Sequence, residues 1–546
     1  MIKNGKTLLS GIDPVRRAEK TADSVSIKNK TLYFCPSPIY GYGLSRFLER
    51  IENEAPDCAV LCIEADGELF ELAQKNIDAS LLNGKKLHIT NVCEEEGLYS
   101  LVCDLWGALF FRRIEILRFT GGWQLFPDLY NSLYETLSGQ LALDWGNALT
   151  LAKLGRLYIK NCMQNISLAA IYPSISQLSY DEAPVLVMGA GPSLDVFLES
   201  VFKKNQLIKK RENRNFKIIC VDTCLGALRD RGIEPDLVVI LESQHWNIRD
   251  FIGSKDCQYS AAIDISSLPA TARILNGEGF LFFTPWTQLK IFERLKNASL
   301  LPSVFAPLGS VGLTAVNIAK RLTRGKIICA GLDFSFTYDS YHARGTPGHR
   351  AKMNKQTRLL RLFDTSAFGG TAITAVSKSG ENVCTNPIMR NYRALFEQEF
   401  GGDKRIFDID GTGLPLGVRT LSMQDAIKEL NIEEVHTETQ RHGEEKNNNQ
   451  NSSSVPLCLC ENSSGINSFY ENEKNMLTEL RGILTGEAEA KQERLDALII
   501  ECDYLWAHFP DCAGGRKPNM NDNSFLNRVR MEIDIMLKLV NRLIGK

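Results

Sequence analysis

The stretch Val185 to Asp195, VLVMGAGPSLD, constrains this chain more than any other. Val185, Leu186, Val187 and Met188 form a short, uninterrupted apolar run, the pattern of a strand buried on both faces of a parallel sheet. Gly189, Ala190 and Gly191 turn the chain, and Pro192 suits the first position of a following helix. Ser193 and Asp195 offer side-chain oxygens to that helix's unpaired amides. Strand, glycine turn and helix start in succession expose N–H groups beside a positive helix end, which can hold a phosphate. The expected cradle runs through Gly189, Ala190, Gly191, Pro192, Ser193 and Leu194. Glycines also end strands for geometric reasons alone, so the turn counts only in company.

The company follows at once in KIICVDTCLGALRDRGIEPDLVVILES. The apolar run Ile218 to Val221 ends on Asp222 and Thr223, and Leu237 to Leu241 ends on Glu242, Ser243 and Gln244. In an open parallel sheet the ligand crevice lies beyond the carboxyl ends of the strands, so these tips and the glycine loop form one expected site. Asp222 is placed to accept from ribose hydroxyls, or to cap its own helix. Further strands are expected at Gly279 to Phe283, ending in Thr284, Pro285 and Trp286, and at Lys326 to Ala330. Between them Gly309 and Ser310 precede an apolar-faced helix beginning near Leu313, a second helix start able to meet an anion.

After Ala330 the sequence reads GLDFSFTYDSYHARGTPGHR, the most function-like loop in the chain. It carries Asp333, Tyr338, Asp339, Tyr341, His342, Arg344, His349 and Arg350, with Lys352, Lys355 and Arg358 close behind. Tyrosine donates to phosphate, arginine pairs with carboxylates, and histidine takes a proton from a hydroxyl near neutral pH. Long polar loops also collect solvated charge, an equal reading for the basic run. Downstream, Asp408 to Val418, DIDGTGLPLGV, either closes over a ligand or forms a plain turn.

With 546 residues and a net charge of −2, the chain is long enough for several domains and is neither a basic nucleic-acid binder nor an acidic tail protein. No apolar run approaches the roughly 20 residues of a membrane helix, and the start lacks the core of a secretory signal. A cytoplasmic protein is expected, bound to neither nucleic acid nor membrane. The 15 cysteines are scattered and odd in number, which suits reduced thiols. Cys458 and Cys460 form a lone CxC, and His436 and His442 lack zinc-finger spacing, so no metal site is expected.

The expected fold class is α/β. Residues 1–125 read as a Rossmann-like N-terminal domain, in which TLYFCPSPIYGYGLSRFLERI and APDCAVLCIEAD place Gly41 and Gly43 in a turn and Glu64 and Asp66 at a strand end. This spacing is not a full GxGxxG, so a structural role is favoured over a working cofactor site. Residues 126–176 read as connecting helices: Leu151, Leu154, Tyr158, Cys162 and Ile166 fall on one face. Asn161 and Asn165, four apart on that helix, are read as making surface or inter-helix hydrogen bonds. Residues 177–432 form the central α/β domain with a mostly parallel sheet. Residues 433–467, polar and rich in Asn and Ser, read as a flexible linker, and 468–546 as a C-terminal helical domain.

Taken as a set, GAGPSLD, DTCLGALRDRGIEPDLVV and GLDFSFTYDSYHARG resemble the motility accessory factor family of flagellin glycosyltransferases, over about Asp144 to Val418. The central region of that family is the DUF115 domain, found also in an archaeal pterin diphosphokinase, and its helix with paired asparagines is matched by Asn161 and Asn165. The segment is similar as well to bacterial sialyltransferases that use CMP-activated nonulosonic acids. Their phosphate turn is matched by Gly189, Gly191, Pro192 and Ser193, and their serine before a later helix by Gly309 and Ser310. Their Gly-Asp-aromatic loop is matched by Gly331, Asp333 and Phe334, with Tyr338 and Tyr341 at the positions of phosphate-binding tyrosines. Ala190 stands where those enzymes often have asparagine, and His342 and His349 both lie early for the catalytic histidine.

The resemblance implies transfer of a pseudaminic- or legionaminic-type sugar from CMP to Ser or Thr of flagellin, with inversion. The CMP-activated sugar would be the donor and no cofactor would be tightly bound. Ser310, Tyr338 and Tyr341 would hold the departing phosphate, Arg344 or Arg350 the sugar carboxylate, and His342 or His349 would be the base. Two alternatives stand beside it: a pterin diphosphokinase using ATP and Mg²⁺ on carboxylates such as Asp222, Glu242 and Asp333, and a flagellin-binding accessory protein without catalysis.

Overall fold

The computed structural model describes residues 1–78, 81, 85–107, 109–203, 205–255, 257–359, 369–432, 459–513 and 518–544. The chain divides into two compact units, one of residues 1–155 with 507–519 and the other of 156–506 with 520–546. The helix Pro127–Asn165 runs through the boundary in sequence. The helices Leu459–Thr485, Gln492–Glu501 and Asn523–Leu543 fall in the second unit with the central sheet, where a separate helical domain was expected. The first of them begins inside the segment expected as linker; the rest of that segment, with His436, His442 and Cys458, lies outside the described residues. The described cysteines are free thiols. Among the described residues no helix is long and apolar enough to cross a membrane.

In the first unit a short hairpin, β1 (Ile2–Lys3) and β2 (Lys6–Thr7), precedes four parallel strands. These are β3 (Thr31–Pro36), β4 (Ala59–Ile63), β5 (Leu87–Thr90) and β6 (Arg113–Ile116), in the order β5-β4-β3-β6. Every residue of β3 and β4 is buried, as a strand covered on both faces requires. The turn after β3 is packed against protein: a Cβ on Gly41 would meet the Ile77 side chain and one on Gly43 the Ala18 backbone. Glu64, 1% exposed, spends its carboxylate on the Ser37 hydroxyl, the Tyr130 hydroxyl and the Asp66 N–H, and burial pushes it up. Asp66 caps the helix Gly67–Asn76 and pairs with Lys3. Both acids serve this unit's own packing.

The second unit is built on nine parallel strands in the order β12-β11-β10-β9-β8-β7-β13-β16-β17. β7 (Val185–Met188), β8 (Lys217–Val221), β9 (Leu237–Ile240), β11 (Gly279–Phe283) and β13 (Ile327–Ala330) lie where the apolar runs put them. β10 (Ser260–Asp264), β12 (Ser303–Val304), β16 (Ile406–Ile409) and β17 (Arg419–Leu421) complete the sheet. SAAID has too little apolar bulk to stand out in sequence, yet Ala261 to Asp264 are buried between its neighbours β9 and β11. A small antiparallel hairpin, β14 (Ile373–Val376) and β15 (Asn382–Thr385), stands apart from this sheet. Strand order runs outward from β7 to β12 and then returns to the other side of β7 with β13. The topological switch point, where a crevice opens at the carboxyl ends of the strands, therefore falls between β7 and β13.

A candidate functional site at the switch point

The glycine turns after β7 and β13 meet at this point. The ladder continues past the strands, with Gly189 N–H donating to Ala330 O and Gly191 N–H to Gly331 O, each at 2.8 Å. Closeness requires the glycines, since a Cβ on Gly191 would lie 2.5 Å from the Asp333 carboxylate. That carboxylate is itself the main departure from the expected cradle. Asp333, 2% exposed, accepts from Ser193 N–H at 2.8 Å and from the Ser193 hydroxyl, so it caps the helix Ser193–Val201 from across the sheet. Leu194 N–H is taken by Gly191 O, and Pro192 has no N–H to give.

The amides of Gly191 to Leu194 thus face protein acceptors, and a second anion would meet the Asp333 charge. Ser193 and Asp195 do not cap this helix with their side chains: Asp195 instead receives Arg231 and the Arg344 N–H. Behind Asp333, buried Lys378 donates to Asp408 and to Ile409 O. Burial pushes Asp408 up to about 7 against the pull of Lys378, and pushes Asp333 upward as well. Leu414 N–H donates to Asp333 O and Lys378 N–H to Gly413 O, so the DIDGTGLP stretch forms backing for the crevice.

Two chambers open over this rim. The smaller, about 300 Å³, is lined by Gly189, Ala190, Gly191, Thr223, Ser310, Asp333, Tyr341 and His342, with Gly312, Asn386 and Tyr392. The larger, about 640 Å³, is lined by Asp222, Thr223, Glu242, Ser243, Thr284, Gly309 and Ser310, with Tyr158, Asn247, Asp250 and Trp286. Thr223, Ser310, Val311 and Tyr392 belong to both and mark where the chambers meet. The helix Val311–Leu322 starts there. Its N-cap Ser310 makes no side-chain capping bond, and Ser310, Val311 and Gly312 line the crevice, so an uncapped positive helix end borders it.

The larger chamber has an acidic wall. Asn247, 3% exposed, donates through Nδ2 to Asp222 at 2.7 Å and Asp250 at 3.0 Å, while Asp222 also accepts from the Thr223 N–H at 2.8 Å. Burial pushes Asp222 up to about 6; burial and the charge of Asp222 push Asp250 up to about 7. Asn247 Oδ1 and Trp286 Nε1 are buried and have no partner among the described residues. Such orphans are costly in a closed core and suit a wall awaiting a polar ligand. Asp264, at the foot of this rim, accepts from Ser266 and Thr284 through both N–H and hydroxyl groups, and burial pushes it up to about 6.

Asn161 and Asn165 are neither at the surface nor between helices. Asn161 donates to Ser243 O and Ser266 O, and Asn165 to Ile265 O and Ser267 O, all within 3.0 Å. They fasten the loops after β9 and β10 that shape the rim.

Other expected residues lie apart. Tyr338 is 53% exposed and lines neither chamber. His349 lines neither; its Nδ1 accepts from Gly345 N–H at 3.4 Å, and burial pushes the imidazole down. Arg350 is paired with Asp230, and Arg344 is exposed with its backbone tied to Asp195. These two arginines help pin the loop through Asp230 and Asp195, and neither reaches a chamber because the loop turns away at Ala343, whose N–H donates to Ala190 O. Residues that sequence reasoning passed over include Asn247 and Asp250, in a 3₁₀ stretch with no strand or glycine signal, and Asn386 and Tyr392 at the helix Pro387–Phe400.

Fold and site together define an open, parallel α/β protein with a polar crevice at its switch point, the class in which nucleotides and their derivatives bind. Residues 157–339 match the family model described as 6-hydroxymethylpterin diphosphokinase MptE-like. A chain of Treponema pallidum (strain Nichols) named "Uncharacterized protein" is 27% identical over 547 residues, spanning 96% of this chain and 90% of its own length. Among solved structures, the Maf glycosyltransferase from Magnetospirillum magneticum AMB-1 covers 98% of this chain and 84% of its own, with a TM-score of 0.50 and 15% identity. The resemblance to the motility accessory factor family read from the sequence therefore holds for the central domain and for the fold.

Proposed function

We propose that the protein is a glycosyltransferase moving a nonulosonic acid, of the pseudaminic or legionaminic type, from its CMP carrier to serine or threonine hydroxyls of flagellin in the cytoplasm. The observation that carries this reading is the junction of the two chambers. There the glycine turns, the start of helix Val311–Leu322 and the Tyr341–His342 loop reach one crevice at the switch point. In this reading the departing phosphate lies against Ser310 and the first-turn amides of Val311 and Gly312, the helix start that no carboxylate occupies. Donors fixed there stabilise charge as it builds on the leaving group, which is the differential stabilisation that transfer requires. The larger chamber, with its unmatched Trp286 N–H and Asn247 carbonyl and the carboxyls of Asp222 and Asp250, offers both donors and acceptors to a hydroxyl-rich group.

His342, on the wall of the small chamber, takes the proton of the acceptor hydroxyl, and in-line displacement inverts the anomeric centre. The expected outcome is that His342→Gln lowers transfer by about a hundredfold or more, while His349→Gln leaves it largely intact. Intact-mass spectrometry of flagellin from cells with and without the protein reads the same chemistry. An unchanged flagellin mass, or full transfer by His342→Gln, would overturn the assignment.

A second reading, a pterin diphosphokinase using ATP and Mg²⁺, draws on the family match over 157–339 and on the carboxylates Asp222, Glu242 and Asp250 along the larger chamber. Calorimetry with CMP against ATP–Mg²⁺ and a hydroxymethylpterin separates the two.

A further inference from the structure

We propose that the first unit binds a small dianionic molecule in the cavity between the β1–β2 hairpin, the helix Pro14–Ser24 and the loop after β6. This proposal is independent of the transferase reading. The cavity measures about 310 Å³, a size suited to a small ligand. Thr120, on its wall, gives its hydroxyl proton to Ser37 O, and Glu64 accepts from the Ser37 hydroxyl, so these groups at the ends of β3 and β4 are occupied by the unit's own bonds.

Among the described residues its walls carry two guanidiniums, Arg17 and Arg118, and no carboxylate. Among the described residues neither arginine forms an ion pair, whereas Arg46 and Arg50 of the same unit are paired with Asp23 and Glu54. The Arg118 guanidinium sits 4.4 Å from the centroid of the Trp123 ring, which holds its planar fork in place before any ligand arrives. Ser10 already accepts from Ile12 N–H and so keeps its own proton to donate; Thr21 gives its proton to Arg17 O and keeps an acceptor. Two forks, two positive charges and a wall without negative charge select a compact group with two negative charges and paired oxygens. That chemistry is supplied by the phosphate of a phosphorylated metabolite or by a dicarboxylate.

Calorimetry on the full chain, with inorganic phosphate and separately with malonate at constant ionic strength, tests the site. One of the two anions is expected to bind saturably, and the one that does identifies the source. In the Arg17→Gln/Arg118→Gln double variant that affinity falls about tenfold or more, or one site is lost from the stoichiometry if the anion also occupies the second unit. The thermal melt stays unchanged, because both side chains are exposed. Arg118→Lys, which keeps charge but loses the fork, falls between. Identical isotherms for the wild type and the double variant, or no saturable binding of either anion, would overturn the proposal.

Discussion

Asp333 offers the sharpest separation between a ligand-binding residue and a structural one. Its carboxylate accepts from both the N–H and the hydroxyl of Ser193 at 2% exposure, at the start of the helix Ser193–Val201. Asp333→Ala leaves those two groups of the half-buried Ser193 without their partner, at up to about 1–3 kcal/mol each before relaxation and access of water, and removes a negative charge from a helix N-terminus, worth about 0.3–1 kcal/mol. Part of this is returned, because Asp333 also raises the buried Asp408 and its removal relieves that repulsion. The net expectation is a loss of about 2–4 kcal/mol.

Asp333→Asn behaves differently. The amide oxygen still accepts from Ser193 N–H, the serine hydroxyl turns to accept from the new NH₂, and the lost charge was already disfavoured by burial. A loss of about 1 kcal/mol or less follows. Urea denaturation by circular dichroism at pH 7, with amide exchange at Ser193 to locate the effect, measures the series. CMP affinity by calorimetry is expected to stay within about threefold in Asp333→Asn, since one acceptor-for-carboxylate exchange leaves the cap in place. The reasoning is refuted if both variants are as stable as the wild type. It is equally refuted if Asp333→Asn loses CMP binding while its stability is unchanged, for the carboxylate would then be a ligand group.

Two further outcomes are expected. Asp250, pushed up to about 7 by burial and by Asp222, binds its proton more tightly folded than unfolded, where a carboxyl titrates near 4. Its stabilising contribution is present below about pH 4 and is lost as pH rises through 7. Asp250→Asn should therefore be the more stable protein at pH 8, by on the order of 1 kcal/mol, with the difference vanishing near pH 4; parallel curves of melting temperature against pH would contradict this. Asn161→Ala strips the donor from Ser243 O and Ser266 O, at about 1–3 kcal/mol, and lowers transfer by loosening the rim; unaltered melting and activity would show the clamp to be idle.

Much of the architecture is legible because strand burial is written locally. Short, mostly apolar runs of four or five residues ending in glycine or polar tips located β7, β8, β9, β11 and β13, and the spacing on the helix Pro127–Asn165 marked it as amphipathic. Where the local signal was weak, as in the small residues of β10, the strand exists because of its neighbours and could be found only from them. The paired asparagines were visible as a spacing, yet their burial and their backbone partners about a hundred residues away were not.

The sequence by itself determined the class of fold and the neighbourhood of the site: glycine turns and polar tips at the ends of buried parallel strands, all brought to one rim by alternating helices. It could not determine which helix start is open to an anion. Ser193 and Asp333 are 140 residues apart, and their contact exists only because β13 pairs with β7. That pairing carries a carboxylate onto one helix N-terminus and leaves the other, at Ser310, uncapped by any side chain. Hydrogen-bonding capacity belongs to each residue, whereas its occupancy is settled by what the fold brings within 3 Å.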